Sequence, residues 1–266
     1  MELSGRHVVV TGGASGIGEA LVNRLAEENP RGIVVVDLDE DRARGVAQRA
    51  GGLPIRADVG QEPEILRIIA EAENRYGPVD VFISNAGIAR PLGGPEIGDA
   101  GWQRLWEVHV MAHVWAARAL LPAMIERRDG YLVNTASAAG LLMSPGAMPY
   151  TVTKHAAVSL AESMAVLYGR TGVKFSCVCP GLVETPLVFD VDGDPAGRAV
   201  RIGSLSREPE HVAEAVVQGM RAEQFMILTH PDETTAALRL RAVDPEGFVA
   251  TMQDIWLAAT KVNMPL

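Results

Sequence analysis

Two cysteines in 266 residues leave no disulfide framework to build on. They stand two apart in the extended run Val173-Lys174-Phe175-Ser176-Cys177-Val178-Cys179. Residues so spaced on a strand share a face with Cα atoms about 7 Å apart, which is poor bridge geometry. No further metal-binding side chains stand near them, so Cys177 and Cys179 read as buried structural thiols. Lysine is also scarce: 21 of the 24 basic residues are Arg, and none form a basic block. With a net charge of -9 and a pI near 5.2, this balance argues against nucleic acid or an anionic membrane as the main partner. An uninterrupted membrane span is missing too. The longest uncharged run, from Tyr131 to Thr153, is broken by Asn134, Gly140, Pro145, Gly146 and Pro149, so strand, loop and helix start explain it better. Met1 to Arg6 shows no basic segment followed by a long apolar one, and a cytoplasmic location is expected.

The length suits one α/β domain with a large core. His7-Val8-Val9-Val10 is a β-branched run that ends in Thr11-Gly12-Gly13-Ala14-Ser15-Gly16-Ile17-Gly18, and helical periodicity follows. Strand, glycine turn and helix start are the context of a dinucleotide fingerprint. The glycines let backbone N–H groups approach a pyrophosphate at the positive end of the helix dipole. A second strand, Gly32 to Val36, delivers Asp37 nineteen residues after Gly18. A carboxylate there accepts hydrogen bonds from ribose hydroxyls and repels a 2′-phosphate. Asp39, Glu40 and Asp41 add negative charge, and neither Ala14 nor Leu38 offers a cation. NAD is therefore expected as the cofactor, ahead of NADP. Helices near 40–50 and 62–76 alternate with strands near 53–57 and 79–83, the pattern of a doubly wound, Rossmann-type parallel sheet of about seven strands with helices on both faces.

The chemistry centres on Tyr150-Thr151-Val152-Thr153-Lys154, which opens a helix after Pro149. Four residues apart on a helix, phenol and ammonium share a face, and the cation is expected to lower the phenol pKa into a useful range. Four Tyr and three Lys in this chain give roughly 0.05 chance matches to that spacing. Tyr131 to Ser137 reads as a buried strand ending in a hydroxyl, thirteen residues before Tyr150. Open α/β sheets place their chemistry at such strand ends.

Taken together, Thr11-Gly12-x-x-x-Gly16-Ile17-Gly18, Asn85-Ala86-Gly87, Ser137, Tyr150-x-x-x-Lys154 and Pro180-Gly181 resemble a short-chain dehydrogenase/reductase of the common single-domain type, from about His7 to Thr229. The resemblance implies adenine contacts at Asp58 and Val59 and bracing of the cofactor strand by Asn85, Ala86 and Gly87. It also implies a nicotinamide cover at Pro180, Gly181 and Val183, with a carboxamide contact at Thr185. Gly12, Ser15, Gly16, Ile17, Gly18, Asp37 and Leu38 complete the expected cofactor contacts, with Tyr150 and Lys154 reaching the nicotinamide ribose. One position departs from the family pattern. His109 stands where many relatives carry an asparagine that supports a proton relay to the lysine, and imidazole can relay protons or simply pack. His113 lies one turn on, but two histidines without further ligands make a poor metal site, and no metal is expected.

The whole chain is expected to form one domain. Glu184 to about Ser206 reads as a substrate lid with a short helix or two, and the tail from Pro231 to Leu266 as helical, packing on a neighbouring subunit or closing the pocket. The expected reaction is hydride transfer between the cofactor and a secondary alcohol or ketone, with Tyr150 as general acid/base. Leu141, Leu142, Met143, Met148, Leu182, Val183, Leu187, Val188 and Phe189 suggest a hydrophobic substrate, whereas Arg90, Arg198 and Arg201 leave room for an anionic one. An NADPH-dependent 3-oxoacyl-thioester reductase and a non-catalytic dinucleotide-binding protein are the alternatives. Relatives commonly form tetramers, so a homo-oligomer, tetramer or dimer, is expected.

Overall fold

Valine- and isoleucine-rich runs form the strands and amphipathic segments form the helices of the computed structural model, which describes residues 1–261. The last five residues of the expected helical tail, 262–266, lie outside the described residues. The first half alternates regularly: β1 (His7–Thr11), α1 (Gly16–Ala26), β2 (Gly32–Asp37), α2 (Glu40–Ala50), β3 (Leu53–Arg56), α3 (Glu62–Tyr76) and β4 (Val81–Ser84). Then come α4 (Asp99–Trp106), a π-helical turn (Glu107–Met111), α5 (Ala112–Glu126), β5 (Gly130–Thr135), a 3₁₀ turn (Ala138–Gly140), α6 (Met148–Tyr168) and β6 (Val173–Cys179). The chain ends with β7 (Leu182–Val183), α7 (Pro186–Phe189), α8 (Pro195–Gly203), β8 (Ser206–Arg207), α9 (Pro209–Arg221), β9 (Met226–Leu228), α10 (Pro231–Val243) and α11 (Pro245–Lys261).

Seven strands form one parallel sheet in the order β3-β2-β1-β4-β5-β6-β9. The direction of winding reverses between β1 and β4, which opens a crevice beyond their carboxyl ends. Strand side chains alternate between two cores. Val8, Val10, Ile33 and Val35 pack with α1, α2 and α9, whereas Val9, Val34, Val36 and Phe82 pack with α3 and α5. Because both faces are covered, the strands are apolar throughout. Each fully buried Val or Ile contributes roughly 1.5–3 kcal/mol. Helix ends follow the local sequence: the Asp39 carboxylate accepts the Arg42 N–H at the start of α2, and left-handed Gly51 ends it.

The residues from 99 to 126 are long and apolar enough to pass as a membrane span, yet 56% of their most apolar window is buried inside the protein. The segment is a core helix in two parts, joined by the π-helical turn. The interruption carries His109. Strand β5 ends two residues earlier than its apolar run suggests. Ser137 instead starts the 3₁₀ turn, its Oγ accepting the Ala139 N–H at 3.1 Å.

Candidate active site

The glycine turn between β1 and α1 is built around contacts that no side chain could survive. A Cβ at Gly18 would lie 1.9 Å from the Gly12 carbonyl oxygen, and one at Gly16, where φ is +52°, would lie 2.9 Å from Thr185 Cγ2. Thr11 ties the turn to the neighbouring strand: its hydroxyl accepts the Asn85 and Ala86 N–H groups at 2.9 and 3.1 Å. Asn85 Nδ2 returns a bond to the Thr11 carbonyl at 3.0 Å. Asp37, at the end of β2, accepts the Ala14 N–H at 3.0 Å and the Asp39 N–H at 3.1 Å. Its carboxylate is thereby fixed at the mouth of the turn. Asp58 pairs with Arg104 at 2.8 Å, and this residue of α4 joins the cavity wall without any motif to announce it.

Pro149 in its first turn starts α6, so Tyr150 and Lys154 project from the amino end of a long helix. Lys154 is buried, and its Nζ donates to the Thr135 carbonyl at 3.0 Å and lies 5.7 Å from the centre of the Tyr150 ring. Burial pulls the ammonium down to about 8. The expected lowering of the tyrosine is not seen in the protein alone. Burial raises the Tyr150 phenol above its ordinary value, and the Ser137 hydroxyl works against that rise. Desolvation of the phenolate outweighs the hydrogen bond from Ser137.

A buried ammonium of this kind costs stability. Unfolded lysine holds its proton up to about 10.5 and the folded one only to about 8, so the protein should gain stability as pH rises between those values. Below pH 8 the cost is complete. Lys154→Met is therefore expected to melt higher than the parent at pH 7 by thermal denaturation without cofactor, while losing turnover. A lower melting temperature would contradict the assignment of a desolvated ammonium.

His109 sits in the π-helical turn, fully buried and outside the cavity wall. Its Nε2 accepts the Ile88 N–H at 3.1 Å, which leaves the proton on Nδ1, facing Thr153 Oγ1 at 2.9 Å. Thr153 in turn bonds the Pro149 carbonyl at 2.9 Å. Burial first, and the Lys154 cation second, hold His109 well below its ordinary value, so it is neutral. Both nitrogens are occupied by the protein. The imidazole ties the loop after β4 to the second turn of α6 and meets the Tyr150 ring edge-on at 5.4 Å. Cys177 and Cys179 stay free and buried, and the contact between them, 3.8 Å between sulfurs, together with burial pushes the Cys177 thiol up, away from reactivity.

One cavity of about 450 Å³ joins these parts. Gly12, Ser15, Gly16, Ile17, Gly18, Asp37, Leu38, Asp58 and Val59 line one end, with Asn85, Ala86 and Gly87 beside them. Ser137, Tyr150, Lys154, Pro180, Gly181, Val183 and Thr185 line the middle. The Thr185 hydroxyl donates to the Val183 carbonyl at 3.2 Å. Leu142, Met143, Leu182, Leu187 and Val188 continue as an apolar wall, but Leu141, Met148 and Phe189 are not part of it, and the last two face outward. The three arginines that could have served an anionic substrate are held elsewhere. Arg90 pairs with Asp190 and Asp194 at 2.9 and 2.6 Å, Arg201 pairs with Glu184 and Asp192, and Arg198 donates to the Ala259 carbonyl at 2.9 Å. They strap the 184–207 segment shut and anchor α11. The far wall comes from the tail, His230, Glu233 and Ala237 of α10 and its cap and Met252 and Ile255 of α11, so the tail closes the pocket, one of the two roles expected for it, although nothing local in the sequence says which of its faces does so.

A glycine turn shaped for a pyrophosphate, an acidic residue at the end of β2 and a serine–tyrosine–lysine group beyond the strand ends define a dinucleotide-binding oxidoreductase. The family model of short chain dehydrogenases matches residues 6–195. A 1-deoxy-11-beta-hydroxypentalenate dehydrogenase of Streptomyces exfoliatus is 35% identical over 249 residues, covering 91% of this chain and 88% of that protein. The 3beta-hydroxysteroid dehydrogenase 2 of Eggerthella lenta is 29% identical, covering 93% and 91%. A short chain dehydrogenase/reductase from Burkholderia phymatum, solved in complex with NAD, superimposes with a TM-score of 0.83 at 29% identity, covering 92% of this chain and 96% of that one. The chain belongs to the short-chain dehydrogenase/reductase family, and it is a dehydrogenase of alcohol groups.

Proposed function

We propose that the protein interconverts a neutral, largely apolar secondary alcohol and its ketone with NAD(H). The observation that carries this is the cavity itself: it joins the Asp37 end to Tyr150 and Ser137 and continues into an apolar wall. Bound NAD would supply the hydride acceptor, and the residues that fit it are the glycine turn, Asp37, Lys154 and the Pro180–Thr185 loop. In oxidation Ser137 holds the substrate oxygen while Tyr150 takes its proton, and in reduction Tyr150 gives that proton back. Lys154, fixed by the Thr135 carbonyl, favours the phenolate and orients the ribose. His109, neutral and bonded at both nitrogens, fits a positioning part better than a relay.

The preference for NAD is supported by a carboxylate locked at Asp37 with no cation beside it in the cavity wall. The reading as an acyl-thioester reductase has less support, since Arg90, Arg198 and Arg201 are taken up in the lid. Val152 near the start of α6 and Val166 and Leu167 near its end are exposed, Val166 at 83%, which supports pairing of copies through this helix. The test is oxidation of neutral secondary alcohols by the purified protein with NAD and NADP in parallel. Turnover with NAD at a clearly higher kcat/KM bears the proposal out, and a preference for NADP or for carboxylated substrates alone overturns it.

A further inference from the structure

The tail wall of the cavity and the wall that follows Ser137 are joined by one side chain that lies outside the cavity. On α10, Glu233, Ala237 and Arg241 recur every fourth residue and so share a helix face. Glu233 and Ala237 line the cavity, and Arg241 continues their face past it, exposed at the surface. Its Nη1 donates to the Leu141 and Leu142 carbonyls at 2.5 and 3.1 Å, in the loop that brings Leu142 and Met143 into the cavity wall. The same nitrogen lies 3.3 Å from His155 Nε2 on α6. His155 Nδ1 faces the Thr151 carbonyl at 3.0 Å and must donate to it, so Nε2 is the acceptor for Arg241. The guanidinium also stands 5.8 Å from the centre of the ring of Phe248, a buried residue of α11. Bonds from a cation to carbonyls are of the stronger kind. One side chain thus gathers α10, α11, α6 and the Leu141–Met143 loop.

We propose that Arg241 is a positioning residue that fixes the separation of these two walls, and with it the breadth of alcohol the cavity accepts. The far end of the loop is already sewn to α6, since Thr151 Oγ1 accepts the Ser144 N–H at 3.0 Å. Beyond it Trp256 of α11 lies against Gly146, where a Cβ would find no room. The stretch between Ser137 and Ser144 depends on Arg241 for its tie to the tail, so without that tie Leu142 and Met143 can move away from Ala237. The reacting groups keep their own supports: the Ser137 Oγ accepts the Ala139 N–H, and Lys154 is bonded to the Thr135 carbonyl. Loss of Arg241 should therefore loosen selection by size and leave the chemical step alone. The role rests on the alcohol dehydrogenase reading above and specifies how that site selects its substrate.

Steady-state kinetics and hydrogen exchange on Arg241→Met and Arg241→Lys test it together. The probes are neutral cyclic secondary alcohols of one to four fused rings, oxidised with NAD. The parent should prefer one size, and Arg241→Met should cut its kcat/KM margin over the next larger probe by ~10-fold or more, through KM, with kcat and NADH affinity within about threefold. In the NADH complex of Arg241→Met, amide exchange at 142–147 should quicken by ~10-fold or more. Arg241→Lys should keep both properties within about threefold of the parent, because all three bonds leave one nitrogen and an ammonium carries three donors. A parent without a preferred size, a margin or slow exchange that survives Arg241→Met, or an Arg241→Lys variant as loosened as Arg241→Met overturns the role. If the parent oxidises no alcohol, the dehydrogenase reading fails and selection by size with it, whereas turnover with an unaltered margin refutes the role of Arg241 alone.

Discussion

Tyr150→Phe should lower kcat/KM for alcohol oxidation by about 10³-fold or more, with NADH binding within about threefold of the parent. The ring of phenylalanine keeps the edge-on contact with His109 and the cation contact with Lys154, so the packing of α6 survives. What disappears is the oxygen proposed to exchange a proton with the substrate. General acid–base groups typically contribute 10²–10⁴-fold, and here no second titratable group is placed to substitute. His109 is neutral with both nitrogens engaged, and Lys154 is held by the Thr135 carbonyl. The parent should also show oxidation that climbs as pH rises toward the alkaline range, because burial holds the phenol above its ordinary value and the phenolate is the working base. Reduction, which needs the protonated phenol, should not climb with it. The variant's residual rate should lack the climb. A variant that keeps a tenth of the parent rate would show that another group moves the proton.

Gly18→Ala should be nearly as damaging, by another route. The added methyl would fall 1.9 Å from the Gly12 carbonyl oxygen and 2.8 Å from Asn85 Nδ2, both parts of the turn that is to hold the pyrophosphate. Neither can move freely, since Asn85 is bonded to the Thr11 carbonyl and Thr11 to two backbone N–H groups. Relief requires opening the turn and tilting α1. Overpacking of this kind costs roughly 1–3 kcal/mol and sometimes more. Equilibrium denaturation should show that loss, and NADH titration should show affinity weakened by ~10²-fold or more. Gly51→Ala makes a useful contrast. Nothing stands within 4 Å of its added methyl, and only the left-handed backbone is strained, so stability should fall modestly while NADH binding holds.

The difference between those two glycines shows what a sequence can disclose. The turn at 12–18 was legible because strand, glycines and helix are contiguous, and the same holds for Asp37, the serine shortly after β5 and the Tyr150–Lys154 spacing. The parallel sheet followed from alternation alone. Three things were not legible. The π-helical turn at 107–111 has no local signal, although it decides where His109 sits. The tyrosine's shift has the opposite sign from the pairwise argument because desolvation depends on the whole fold around it. The far wall of the cavity comes from α10 and α11, more than 75 residues beyond Lys154, and no periodicity tells which face of a distant helix meets the site. The arginines show the same limit: composition offered them to an anion, and tertiary pairing gave them to Asp190, Asp194, Glu184 and Asp192.

The most direct measurement is the fate of the carbinol hydrogen. A neutral secondary alcohol carrying deuterium at the carbinol carbon is incubated with the purified protein and NAD, and the reduced cofactor and the ketone are analysed by mass spectrometry and NMR. The expected result is one deuterium on nicotinamide C4 per ketone formed, on a single face of the ring, with far less product when NADP replaces NAD. Ketone formed without label on the cofactor, or label delivered as readily to NADP, would contradict the account.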